Sequence, residues 1–135
     1  MWQTISYVST ANASLTNSDM DELFEFVRIN NNNLNITGIL MYSDGNFFQV
    51  LEGEKDQVDS LFKKIQQDSR HHNVIKIFDR EITSCSFSEY HSSFKVLGKN
   101  YDHGELQHFL KEEKFHNPEN FKNIFYLANK FLKLS

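Results

Sequence analysis

Residues 36–54 read ITGILMYSDGNFFQVLEGE, and how they pair decides the fold. ITGILMY (36–42) and FFQVLE (47–52) are apolar runs of strand length, and SDGN (43–46) separates them. Asp44-Gly45 is a strong hairpin signal, because a tight two-residue turn needs positive φ at its centre and Asp and Gly supply it at low cost. Residues 36–52 therefore form a hairpin. Gln49 is the anomaly, flanked by Phe47, Phe48, Val50 and Leu51 in a strand that reads as buried. A buried primary amide brings one acceptor and two donors, and leaving such groups unpaired costs about 1–3 kcal/mol. What Gln49 bonds to is the question the rest of the chain must answer.

Upstream, QTISYVS (3–9) reads as a first strand, with Ile5, Tyr7 and Ser9 on one face by the period of two. Residues 10–17 are polar turn material. TNSDMDELFEFVRIN (16–30) reads as a helix, capped within Thr16–Ser18 and carrying Asp19, Asp21 and Glu22 in its first turn. Met20, Leu23, Phe24 and Val27 supply its apolar stripe. The run of four Asn at 30–33 is read as its polar stop, since Asn tolerates left-handed geometry at helix ends. Downstream, a second helix is expected over 54–69 on Val58, Leu61, Phe62 and Ile65. NVIKIFDREI (73–82) is a fourth strand, with Val74, Lys76 and Phe78 expected on one face and Ile75, Ile77 and Asp79 on the other. SFSEYHSSFKVL (86–97) is a fifth.

This order is a ferredoxin-like βαββαββ sheet of the α+β class. Right-handed crossovers put both helices on one face and make the first and third strands central neighbours. Tyr7 and Gln49 then lie side by side beneath the helices. The tail reads as two helices, 103–112 and 118–133, the second opening on Asn117-Pro118. Its stripe of Phe121, Ile124, Phe125, Ala128, Phe131 and Leu132 either covers the other sheet face or meets a partner chain. The chain divides into a domain over 2–96 and a helical extension over 97–135.

The 135 residues suit one domain, and 39% apolar residues, with thirteen Phe, suffice for a core. A net charge of −4 without a basic stripe speaks against nucleic acid. Cys85 is the single cysteine, which excludes an internal disulfide and fits a reducing, cytoplasmic compartment. It has no evident activating partner and reads as a small packed side chain. No stretch reaches membrane-spanning length, so no membrane association is expected. The six His show no ligand spacing, and no metal is expected.

Three polar groups remain: Tyr7, Asn30 or Asn31, and Gln49. Either backbone satisfies each separately, or they converge on a planar polar ligand. Such a ligand would need apolar faces, for which Leu23, Ile36 and Phe47 are available.

The pieces SYVS (6–9), NN (30–31), ITGILMY (36–42), FFQVLEGE (47–54) and QQDSRHH (66–72) together resemble, in order, the BLUF family of blue-light sensors that use FAD. The resemblance spans about residues 2–94. It implies that Tyr7 is the electron donor to excited flavin and that Gln49 bridges that tyrosine and the flavin, so that these two are the photoactive pair. It places Asn30, and Asn31 beside it, at the flavin's edge. Arg70 and His71, with Asp68 in the same motif, fall near the FAD phosphates. Lys64 stands where members often carry Arg and is a weaker phosphate candidate. On the fifth strand, Tyr90 and Ser92 take the places of the family's usual Trp and Met, which bears on signal output. Glu52 and Glu54 read as a solvated turn and helix start. Trp2 precedes the first strand with no evident role.

The resulting expectation is a blue-light photoreceptor, not an enzyme. It would bind FAD non-covalently, associate with itself, and signal to an unidentified downstream protein. The alternative is a flavin-free ferredoxin-like interaction module that has lost photochemistry. A hydrolase of the acylphosphatase type is disfavoured, because STANASLTNS (9–18) after the first strand has neither a Gly-rich loop nor an Arg.

Overall fold

In the computed structural model the described residues are 1–82, 95–97, 107–108, 110–111, 114–115 and 118–134. Strand β1 (Trp2–Ala11) leads into helix α1 (Asn17–Asn33), then β2 (Thr37–Ser43) and β3 (Asn46–Glu54). Helix α2 (Lys55–Gln66), β4 (His71–Ile82), β5 (Lys95–Leu97) and helix α3 (Pro118–Leu134) follow. The strands form one sheet in the order β4-β1-β3-β2-β5, the α+β ferredoxin-like arrangement with an added edge strand. All pairings are antiparallel except that of β5, which runs parallel to β2. Of the fifth strand expected over 86–97, residues 95–97 are described and are extended. Tyr90, Ser92 and Cys85 lie outside the described residues.

The hairpin closes as its turn residues require: Asp44 and Gly45 sit at φ 51° and 83°, and Ser43 pairs with Asn46. Alternation along β3 then sorts its side chains. Phe47 and Leu51 join Ile5, Tyr7, Met20, Leu23, Leu40, Val58, Leu61 and Phe62 in a core between the sheet and helices α1 and α2. Phe48 and Val50 join Ile39, Met41, Ile124, Ala128 and Phe131 in a second core beneath α3. The last helix thus covers the far sheet face, and Phe48 meets Phe131 with ring centroids 5.7 Å apart. Ile124, Ala128 and Phe131 face in as the stripe predicts, but Phe125 points outward and is 46% exposed. Within the expected helix over 103–112, residues 107, 108, 110 and 111 are helical.

Four expectations are corrected. Helix α1 does not stop at the Asn run but includes it. Its cap is Leu34, whose N–H donates to the carbonyls of Asn30 and Asn32, and the left-handed residue is Asn35 at φ 57°. Trp2 belongs to β1, opposite Glu54 and Ile82. Glu52 is not at a solvated turn: it is fully buried within β3, opposite Thr4 and Thr37, whereas Glu54 is exposed. On β4, Lys76 does not share a face with Phe78. A register shift sets Ser6 opposite Phe78 and Tyr7 opposite Lys76, so Ile77 is an extra residue that reverses the alternation. Lys76 therefore shares a face with Asp79, to which it donates a 2.8 Å bond.

Candidate functional site

The first turn of α1 is set by a capping box, in which the Asp19 N–H donates to Thr16 Oγ1 and the Thr16 N–H to Asp19 Oδ2. That start fixes the helix rotation. Leu23, Phe26, Val27, Asn30 and Asn31, spaced 3 and 4 apart, then face a cleft of about 230 Å³ between α1, α2 and the sheet. Tyr7 of β1, Leu40 of β2, and Phe47 and Gln49 of β3 form its floor. Leu61, Lys64 and Ile65 of α2 form its second wall, Asp68 and Arg70 lie in the segment leading into β4, and His71 opens that strand.

Tyr7 and Gln49 are paired directly across β1 and β3. Both are almost wholly buried, and Gln49 Nε2 donates to Tyr7 Oη. This answers half of the question Gln49 raises. Its Oε1 has no hydrogen-bond partner among the described residues, and neither has Nδ2 of Asn31, itself 2% exposed. The cleft thus presents one orphaned acceptor and one orphaned donor within apolar walls. Native interiors rarely leave such groups unpaired. Buried atoms of Gln3, Thr4 and Ser6 also lack a partner among the described residues elsewhere in the sheet, and what sets Gln49 and Asn31 apart is that the two line one and the same cleft, with room for a ligand. A flat heteroaromatic ring with polar atoms along its edge satisfies both, while Leu23, Val27, Phe47, Leu61 and Ile65 offer apolar contact to its faces.

Burial pushes the Tyr7 phenol well above its ordinary range, with Gln49's hydrogen bond opposing and the Asp68 charge adding to the rise. Tyr7 is therefore protonated at neutral pH. It packs against Phe62 at 5.7 Å and against the His71 ring, edge-on, at 6.2 Å between centroids. His71 is held at both nitrogens: Nδ1 lies 2.8 Å from Ser9 Oγ, and Nε2 lies against the Ile65 carbonyl. A carbonyl can only accept, so Nε2 carries the hydrogen and, in the neutral ring, Nδ1 accepts from Ser9.

At the mouth, Asp68 grips Arg70. Arg70 Nε donates to Oδ1 at 2.9 Å and Nη2 to Oδ2 at 2.6 Å. The pairing holds the Asp68 carboxyl below the usual carboxylate range and raises the guanidinium further.

Of the residues singled out in the sequence, Tyr7, Asn30, Asn31, Phe47, Gln49, Lys64, Asp68, Arg70 and His71 all line this cleft. Ile36 does not: it is 1% exposed within the core beside it. The His71 ring packs edge-on against Tyr7 and Phe47, with centroids 6.2 and 6.3 Å away. Sequence reasoning passed over Phe26 and Ser9. Phe26 extends the Leu23–Asn30 spacing and was legible by that criterion. Ser9 shares a face with Tyr7, but nothing local announces its bond to His71.

Three comparisons bear on the site. The family model described as "BLUF: Sensors of blue-light using FAD" matches residues 2–93. Among curated relatives, the photoactivated adenylate cyclase subunit alpha of Euglena gracilis is 40% identical over 75 residues, covering 56% of this chain and 7% of that protein. The blue light- and temperature-regulated antirepressor BluF of Escherichia coli is 34% identical over 58 residues, or 43% of this chain and 14% of that one. The chain therefore spans only a small part of these relatives. Among solved structures, the photo-activated state of BlsA superposes with a TM-score of 0.68 at 31% identity, covering 96% of this chain and 94% of that chain. Klebsiella pneumoniae BlrP1 with FMN and cyclic diGMP superposes with a TM-score of 0.76 at 29% identity, covering 98% and 35% respectively.

Proposed function

Because this chain belongs to the BLUF family of blue-light sensors, we propose that it is a photoreceptor holding FAD non-covalently in the cleft between α1 and α2, with Tyr7 and Gln49 as its switch. The observation that carries the reading is the buried Gln49–Tyr7 bond with Gln49 Oε1 and Asn31 Nδ2 left over beside it. Bound there, a flavin supplies the blue-light absorption and, on excitation, the oxidising power. Asn31, with Asn30 one residue before it on the same helix, offers amide groups to the ring edge. Arg70 and Lys64 offer cations to phosphate at the mouth.

The switch is a property of two side chains. A phenol can both donate and accept, so the Tyr7–Gln49 contact has two hydrogen-bonded forms. In the form described, Nε2 donates to Oη and Oε1 is turned elsewhere. After half a turn of the amide, Oη donates its proton toward Oε1 and Nε2 is released to donate into the cleft. The exchange swaps an acceptor for a donor without moving the backbone. Low local dielectric makes each form persistent, since an unpaired group there is costly. His71, locked by Ser9 and Ile65, and Phe62 hold the Tyr7 ring in place while the amide turns.

Output is proposed to pass through protein–protein contact, with the chain itself non-enzymatic, cytoplasmic and self-associating. Division into a sensor over 2–96 and an extension over 97–135 belongs to the same reading. Among the described residues no helix is long and apolar enough to cross a membrane.

Absorption spectra of the purified protein, in darkness and after blue light, test the proposal. Flavin bands that shift slightly red and recover in darkness are expected. Tyr7→Phe and Gln49→Ala should each abolish the shift while flavin stays bound. A normal shift in either variant overturns the switch assignment, and a protein that takes up no flavin overturns the photoreceptor reading.

A further inference from the structure

Behind the cleft, a chain of side chains that a ligand there does not touch runs from the sheet to the back of Tyr7. It begins at Gln3 of β1, which is buried. Gln3 Nε2 donates to Asp79 Oδ1, an orientation the carboxylate dictates because it can only accept. Lys76 Nζ donates to the other oxygen, Oδ2, at 2.8 Å. So held, Nζ lies 5.4 Å from the centre of the Phe62 ring. Phe62 in turn packs on Tyr7, with ring centroids 5.7 Å apart. The bulge at Ile77 makes this chain possible. Without the extra residue, Lys76 would share a face with Phe78, on the far side of the sheet; with it, Lys76 pairs opposite Tyr7 and shares its face. Lys76, Asp79 and Phe62 all line a second cleft, between α2 and β4, and not the one that holds Gln49.

We propose that Lys76 is a positioning residue for Tyr7, acting through Phe62, and that the Gln3–Asp79–Lys76 clamp sets how long the light-switched hydrogen-bond form lasts. The inference rests on the photoreceptor reading above and deepens it, adding to the switch a residue from outside the cleft. A cation over a phenyl face is attracted by the ring's quadrupole, and at partly exposed sites the attraction is enough to change a rate about two- to fivefold. Pinned from behind by the ammonium, Phe62 cannot recoil from Tyr7. For the Gln49 amide to turn back it must pass the Tyr7 hydroxyl, and a tyrosine ring free to yield lowers that barrier. Loss of the cation therefore shortens the switched state while leaving the contacts inside the cleft untouched.

Two measurements test this. In the flavin-free full chain, proton–carbon NMR should find the Lys76 ε-methylene protons moved upfield by the Phe62 ring and returned to their ordinary positions in Phe62→Leu. In the FAD-loaded protein, Lys76→Met keeps the stem and removes the charge. It should bind FAD and give the wild-type red shift, but recover in darkness about two- to fivefold faster. Lys76→Arg keeps a cation for both Phe62 and Asp79 and should restore the wild-type rate. In a Phe62→Leu background, Lys76→Met should add nothing further. The Lys76 side chain is 44% exposed, so these changes do not threaten folding. Three results would each overturn the positioning role while leaving the photoreceptor reading intact: methylene protons at ordinary positions in the wild type, an unchanged recovery rate in Lys76→Met, or an equal acceleration by Lys76→Met in the Phe62→Leu background. A wild type that takes up no flavin, or takes it up without a light-induced shift, would overturn the parent reading and this one with it.

Discussion

In the flavin-free protein the Tyr7–Gln49 pair is half satisfied, which gives a double-mutant cycle unusual signs. Replacing Tyr7 by Phe removes the only acceptor shown for Gln49 Nε2, so both ends of a 2%-exposed amide are left without partners among the described residues. An additional unsatisfied buried donor costs about 1–3 kcal/mol. Replacing Gln49 by Leu removes the orphaned Oε1, a gain of similar size, but strips the Tyr7 hydroxyl of its donor, so the net change is expected within about 1 kcal/mol of zero. The double variant Tyr7→Phe/Gln49→Leu leaves no polar atom of either residue in the core. It should be at least as stable as the wild type and about 1–3 kcal/mol more stable than Tyr7→Phe alone. Urea unfolding of the four flavin-free proteins measures this, read as the midpoint at constant slope. Tyr7→Phe indistinguishable from wild type, or a double variant less stable than Tyr7→Phe, would refute the claim that the amide is orphaned. Repeating the cycle with FAD at about a hundredfold its dissociation constant should add about 2.7 kcal/mol to the wild type by mass action alone. The Gln49→Leu protein should gain less at that same concentration.

Two further outcomes are expected. The Asp68 carboxyl is held low by Arg70, so its folded pKa lies below its unfolded one. The stabilisation is in place above about pH 4 and is lost as pH falls through the lower folded value. Thermal melts from pH 6 downward should therefore show a smaller acid loss in Asp68→Asn than in wild type, and parallel profiles would count against the pairing. Ile124 is 1% exposed beneath the far sheet face, so Ile124→Ala should cost about 2–5 kcal/mol in urea unfolding. A change under about 0.5 kcal/mol would show that α3 contributes little to the fold.

The hairpin, the two core helices and the Tyr7–Gln49 juxtaposition were legible because each rests on a short-range rule. Asp44-Gly45 fixes the turn, the period of two puts Gln49 with Phe47 and Leu51, and topology brings β1 beside β3. What failed depends on distant partners. Asn30–Asn33 have weak intrinsic preferences, so the tertiary contacts around Asn31 carry the helix past them to Leu34. The bulge at Ile77 lies in a run without Gly or Pro and is set by pairing with β1. The burial of Glu52 is decided by its neighbours Thr4 and Thr37, thirty and more residues apart from one another in sequence. Tyr7, Asn30, Asn31, Phe47 and Gln49 were picked out from order and residue type, whereas Lys64, Asp68, Arg70 and His71 were implied only by the family resemblance. The exposure of Phe26 and the locking of His71 by Ser9 required three dimensions.

Strand β3 is dressed for two different tasks on its two sides, with Gln49 over the cleft and Phe48 and Val50 under α3. Substitutions here can be absorbed one at a time, but a single inserted or deleted residue between Gly45 and Gln49 cannot. It would transpose the sides at a stroke: a deletion would seat Gln49 in the place of Phe48 against Phe131 and bring Val50 opposite Tyr7, and an insertion ahead of Phe48 would bring that phenyl ring opposite Tyr7 and send Gln49 under α3. The segment is therefore constrained in length more severely than in composition. Any rebuilding of this protein has to treat the count of residues from the turn to Gln49 as fixed.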